Sequence, residues 1–241
     1  MWKVVTPMTA SPLSDTALLQ LMTWLSPSYP VGGYVYSHGI EFAVEDGRVT
    51  DEAALVRWIR GIVTFGAGRV DGVLFAKAWQ AVTDKDEKVL FETIECADAM
   101  RGTSELVLEG TAQGEAFVDT VRQTTSSDDV LQLIGLLNSI DRPITYPVAV
   151  AAISAATAIP LRPALLAFTN AFVANLVSAA VRLVPLGQIA GQRAMVNLKP
   201  IMLQSVEESL GRDMTELGTA APLIDWTSMK HETQFTRLFR S

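Results

Sequence analysis

Cysteine and histidine are nearly missing from this chain: 241 residues contain Cys96 alone and only two histidines, His38 and His231. A single cysteine excludes an intrachain disulfide and any cysteine-held zinc or iron–sulfur centre, and points to a reducing compartment, so a cytoplasmic protein is expected. The histidines are far apart and lack a paired spacing such as H-x-x-x-H, which argues against a metal site within one subunit. An excess of basic residues is missing too. With a formal charge of −7, no general attraction to nucleic-acid phosphates or anionic lipid is expected. Strand-type alternation is scarce, and neither a fixed-period repeat nor a low-complexity segment is evident. The first residues, "MWKVVTPMTASPLSD", lack the apolar run of a signal peptide and read as a flexible arm over 1–13.

Two glycine-containing stretches fail as nucleotide motifs. "GIVTFGAGR" (61–69) has the glycine spacing of a phosphate loop, but Ala67 and Gly68 replace the lysine and hydroxyl residue that grip phosphate and magnesium. "GAGRVDG" has no strand before it to build a dinucleotide-binding unit. A nucleophile elbow is absent, and the carboxylate pairs Asp128–Asp129 and Glu207–Glu208 fit a helix start and a solvated face. No cofactor is expected.

What is present is apolar material at helical spacing. Hydrophobic residues make up 49% of the chain, enough for a large core. Leu18, Leu21, Met22 and Leu25 follow i, i+3, i+4, i+7, as do Leu55, Trp58, Ile59 and Ile62. Helix starts are expected at Thr50 before Asp51–Glu52, at Ser127 before two aspartates, and at Pro147 and Pro163; Asp46–Gly47 reads as a stop. The fold class is all-α, a single compact domain of roughly eight to ten helices over 14–224. "PALLAFTNAFVANLVSAAV" (163–181) carries no charge and approaches membrane-spanning length. Its Asn, Thr and Ser residues, and the lack of a basic cluster or aromatic belt at its ends, favour a helix buried in the domain. Gly102, Gly110 and Gly114 are expected on one helical face, where a neighbour packs closely.

Two stretches resist a purely structural reading. "YPVGGYVYSHGIEFA" (29–43) concentrates tyrosines, glycines and His38 at a turn-to-helix junction. At the other end, Phe235, Leu238 and Phe239 stand at i, i+3, i+4, either on a final docked helix or on a mobile tail over 225–241 that folds into a partner's groove. His38 with nearby acids could also serve proton transfer, which keeps a small-molecule enzyme inside a helical domain as the alternative.

Three ordered blocks carry a family resemblance: "LSPSYPVGGYVYSHGIE" (25–41), "VRLVPLGQIAGQ" (181–192) and "HETQFTRLFRS" (231–241). In these the chain resembles the urease accessory protein UreF family. The resemblance implies a helical homodimer without a reaction of its own. Such a protein binds UreD/UreH, recruits the GTPase UreG and supports nickel delivery to apo-urease. Tyr34, Ser37 and Glu41 match the first block, Arg182, Gln188 and Gln192 the second, and His231, Glu232 and Arg237 the third; with Phe235, Leu238 and Phe239 they form the expected partner-binding set. Gln188 and Gln192, four apart, would share a helix face, and Arg237 could grip a carboxylate. Tyr36 stands where many relatives carry histidine. The tail is expected to be mobile when free and helical when bound, because one or two turns cannot repay helix nucleation alone.

Overall fold

The computed structural model describes residues 13–241, so the expected arm lies, but for Leu13, outside the described residues. Eleven α-helices and two short 3-10 turns follow one another, with no strand among the described residues: α1 (Asp15–Trp24), α2 (Ile40–Glu45), α3 (Glu52–Phe65), α4 (Ala67–Asp84), α5 (Glu87–Ala99), α6 (Ser104–Thr124), α7 (Asp128–Asn138), α8 (Tyr146–Ala156), α9 (Leu161–Leu183), α10 (Gly187–Gly211) and α11 (Pro222–His231). The all-α expectation holds, with one helix more than the upper count.

Local chemistry explains most boundaries. Ser14, Asp51, Asp86, Thr103 and Ser127 each accept a hydrogen bond from a first-turn amide, satisfying a donor the helix leaves open. At α3 the cap is Asp51, one residue after the expected Thr50. Asp46 and Gly47 close α2, with Gly47 left-handed at φ +73°. Of the glycines in the failed phosphate loop, Gly61 lies within α3, and Gly66 and Gly68 form the α3–α4 corner. A side chain at Gly68 would approach the Val63 backbone to 2.8 Å, so packing accounts for that glycine.

The core is built around α4 and α8. The sequence "YPVAVAAISAA" enters at Thr145, and Pro147 through Ser154 are all buried against α4 and α6. Aromatic edges continue this layer: Trp24, Tyr29 and Tyr146 meet Phe117, and Phe168 joins Tyr146 to Phe75. A second apolar cluster links α2, α3, α9, α10 and α11 through Ile40, Ile59, Leu176, Leu198 and Ile224. Helix α9, uncharged between Arg162 and Arg182, is long and apolar enough to cross a bilayer, yet it packs against α2, α4, α8 and α10. A core role accounts for its composition.

The three glycines do not share one face. Gly102 precedes α6, Gly110 lies under the Arg101 guanidinium, and Gly114 admits the chain that leads into α8. The helical spacing was sound only for the last two, because Thr103 caps the helix after Gly102. A Cβ at Gly114 would stand 1.9 Å from the Ile144 carbonyl oxygen, whereas one at exposed Gly135 in α7 would meet nothing within 4 Å.

Gly114→Ala is therefore expected to lower unfolding free energy by about 1–3 kcal/mol through overpacking. Gly135→Ala should raise it by up to ~1 kcal/mol through helix propensity. Urea denaturation of the two variants checks both signs; equal effects would remove the close approach at Gly114 as their cause.

Candidate functional site

The two stretches that resisted structural reading lie against each other. The first needs left-handed backbone at Gly32 (φ +70°), His38 (φ +58°) and Gly39 (φ +74°) to turn from the 3-10 turn Gly33–Val35 into α2. Gly39 is doubly constrained: a Cβ there would also press to 2.9 Å on the Ser228 amide nitrogen of α11. This close approach brings the end of α11 over α2 and α6.

His231, the last residue of α11, is fully buried there. Its Nδ1 is 2.7 Å from Glu105 Oε2 of α6, and its Nε2 is 2.9 Å from Glu41 Oε2 of α2. Both ring nitrogens face carboxylate oxygens, so the arrangement fits an imidazolium donating twice. Burial alone would lower the His231 pKa; the hydrogen bonds to Glu105 and Glu41, with their charges, outweigh it and raise the pKa. Arg237 adds a bond of 3.2 Å to Glu105. Glu41 also accepts the backbone amides of Leu238 (2.7 Å) and Phe239 (2.9 Å).

A second buried group completes the clamp. Ser37 donates both its amide and its hydroxyl to the main-chain oxygen of Ser241, and the Arg240 amide donates to Val35 at 2.7 Å. The Ser241 hydroxyl donates to Glu109, one turn beyond Glu105, and His38 Nδ1 lies 3.4 Å from the same carboxylate. Burial would raise the Glu109 pKa, but His38, Ser241 and more distant Arg101 together hold it below the usual value.

The C-terminal segment is thus docked in the free chain, which corrects the expectation of a mobile tail. Nor does it continue as a helix. After His231 it runs through turns and bends to Ser241, because Glu41, Ser37 and Val35 take up its main-chain groups and remove the advantage of helix formation. The supposed stripe is therefore not a face: Phe235 is fully exposed, Leu238 is 65% exposed and Phe239 is 4% exposed. The 224/225 boundary expected for the tail falls inside α11, which packs on α2 and α6.

The other expected residues divide into holders and surface groups. Ser37, Glu41, His231 and Phe239 are buried within the clamp. Arg182, near the end of α9, lies between two rings, 3.7 Å from the Tyr34 centroid and 4.3 Å from that of Phe239. Tyr34 itself is 63% exposed, and Glu232 is exposed beside the clamp. Gln188 and Gln192 are exposed one turn apart on α10, rather than buried as a hydrogen-bonded pair. Sequence reading missed Glu105, Glu109 and Ser241. The signal for the two glutamates was available: acids four apart on α6, beside buried Leu106 and Gly110, must face one side of the core.

Comparison with known proteins adds identity to this geometry. The UreF family model matches residues 49–199, spanning most of α3 to α10 and leaving the clamp's two terminal stretches outside it. Whole-chain relatives include them. Urease accessory protein UreF of Rhodopseudomonas palustris (strain HaA2) is 44% identical over 236 residues, covering 97% of this chain and 98% of the relative. That of Granulibacter bethesdensis is 43% identical, covering 96% and 97%. That of Methylobacterium radiotolerans is 41% identical, covering 95% and 99%.

The clamp should make stability depend on pH from both sides. His231 has a raised pKa, so its contribution is complete below about 6.5, the ordinary value, and is lost as pH rises through its folded pKa. Glu109 has a lowered pKa, so its contribution is present above the ordinary carboxylate range and is lost as pH falls through its folded value. Replacing His231 with Ala should cost about 3–5 kcal/mol by stranding two buried carboxylates. Hydrogen exchange of residues 237–241 between pH 5 and 9 checks the alkaline limb: protection in the wild type should fall with rising pH after correction for intrinsic exchange. Flat corrected protection would contradict the imidazolium assignment.

Proposed function

The chain belongs to the UreF family of urease accessory proteins, and from that premise we propose that its part in urease maturation is that of an adaptor. It binds UreD/UreH, recruits the GTPase UreG and modulates its turnover while nickel, the cargo, is delivered to apo-urease. It acts as a cytoplasmic homodimer and carries out no reaction of its own.

The observation that carries this reading is the contrast between the clamp and what it displays. Beneath lie buried, mutually satisfied charges; above them stand Tyr34, Arg182, Arg237, Phe235 and Leu238, wholly or partly open to solvent. Tyrosine and arginine are the residue types that dominate binding energy when a partner covers them. A docked segment also presents these groups at low ordering cost, since its backbone is already held. Phe235 supports the reading most directly: no packing within the described chain explains a fully exposed phenylalanine. Gln188 and Gln192, exposed together with Ile189 on α10, form a second contact patch.

Tagged chain co-expressed with UreD/UreH and UreG should retain both through purification. Tyr34→Ala, Arg182→Ala and Phe235→Ala should each weaken partner capture by roughly 30-fold, about 2 kcal/mol. Their unfolding free energies should change by no more than ~1 kcal/mol. Gln188→Ala with Gln192→Ala should reduce capture while leaving residues 231–241 protected from exchange. Variants that bind normally but melt much earlier would make these groups structural.

A further inference from the structure

A cavity of about 240 Å3 opens beside the clamp, between residues 25–35, α6, α8 and α9. Its walls are largely apolar, with the rings of Tyr29, Tyr146, Phe168 and Phe172 among them. The charged side chains that reach it already stand in pairs of opposite sign, although Arg101 Nε and His38 Nε2 make no hydrogen bond within the described chain. Asp71 holds Arg101 through two bonds, at 2.8 and 3.4 Å, and Glu109 faces His38 and Ser241. A charged ligand would have to break one of these pairs or stay uncompensated in a poorly solvated space.

Two neutral amides also have uncommitted capacity. Gln113 of α6 is 8% exposed, lines the cavity and makes no hydrogen bond among the described residues. Asn175 of α9 donates only at 3.5 Å, to the Tyr36 carbonyl. The oxygens of both amides converge on one point: a Cβ placed on Gly33 would lie 3.4 Å from Gln113 Oε1 and 3.9 Å from Asn175 Oδ1. Each amide can turn to offer N–H or C=O, so together they match a group with a donor and an acceptor on one edge.

We propose that this cavity binds a small uncharged molecule with a carboxamide- or urea-type edge on a flat apolar body. The edge pairs with Gln113 and Asn175, and the body lies against Tyr29, Tyr146 and Phe168. Such a ligand satisfies the unpaired Gln113 amide, supplements the long Asn175 bond and covers aromatic surface at the same time. The cavity shares Tyr34 with the partner-facing surface, but the proposal does not rest on the adaptor reading.

The test is titration of benzamide into the full chain, followed by backbone amide NMR, with benzoate and benzamidine as charged isosteres. Benzamide should give saturable shifts at cavity residues, and both charged analogues should bind at least tenfold more weakly. Gln113→Leu should weaken benzamide at least tenfold. Gly33→Ala, whose added methyl sits against both amides, should abolish binding with the melting temperature unchanged; it probes the same contact should Gln113→Leu fail to fold. Absence of saturable shifts, equal binding of a charged isostere, or no effect of either folded variant would overturn the proposal and leave a cavity holding solvent only. Because the measurement uses the chain alone, its failure is distinguishable from failure of partner capture.

Discussion

The structure around the C-terminus depends on one buried contact, His231 set between Glu41 and Glu105. Two carboxylates in an apolar interior are tolerable only if positive charge and donors meet them at short range. The imidazolium does this from α11, Arg237 adds to it, and the Leu238 and Phe239 amides use the remaining capacity of Glu41. The same atoms that close α11 onto α2 and α6 therefore settle the path of the last ten residues.

This coupling relates the buried groups to the displayed ones. Phe239 is fixed because its amide is bound to Glu41, and Arg182 is held between Phe239 and Tyr34. Tyr34 in turn belongs to the turn whose Val35 carbonyl receives Arg240. A change in the clamp would disturb the surface without touching an exposed residue. Ion pairs of this kind add little net stability compared with apolar packing, but losing one partner is costly. Their role here is to specify a single position for an otherwise short, irregular segment.

Two features thus contribute differently to the molecule. Helices α4, α8 and α9 supply a core of small and branched apolar residues, close-packed through glycines such as Gly114. The polar clamp sits at one end of that core and, unlike it, is specific to atoms rather than to area. The cavity lies where the two meet, with aromatic walls from the first and engaged charges from the second.

Periodicity and capping chemistry are local, so the sequence alone determined the helical class, the caps at Ser127 and the stop at Gly47, and the core character of α9. It also identified the two terminal stretches and most residues that meet there. It could not assign their roles. Ser37, Glu41 and His231 read as partner-facing but hold the chain's own end, because a polar residue's destination depends on which helices bring countercharges to it. The spacing of Phe235, Leu238 and Phe239 suggested a helix, yet long-range acceptors on α2 and the preceding turn compete successfully for that backbone. Contacts spanning nearly the whole chain, such as Ser37 with Ser241, leave no local pattern; only the tertiary structure decided them.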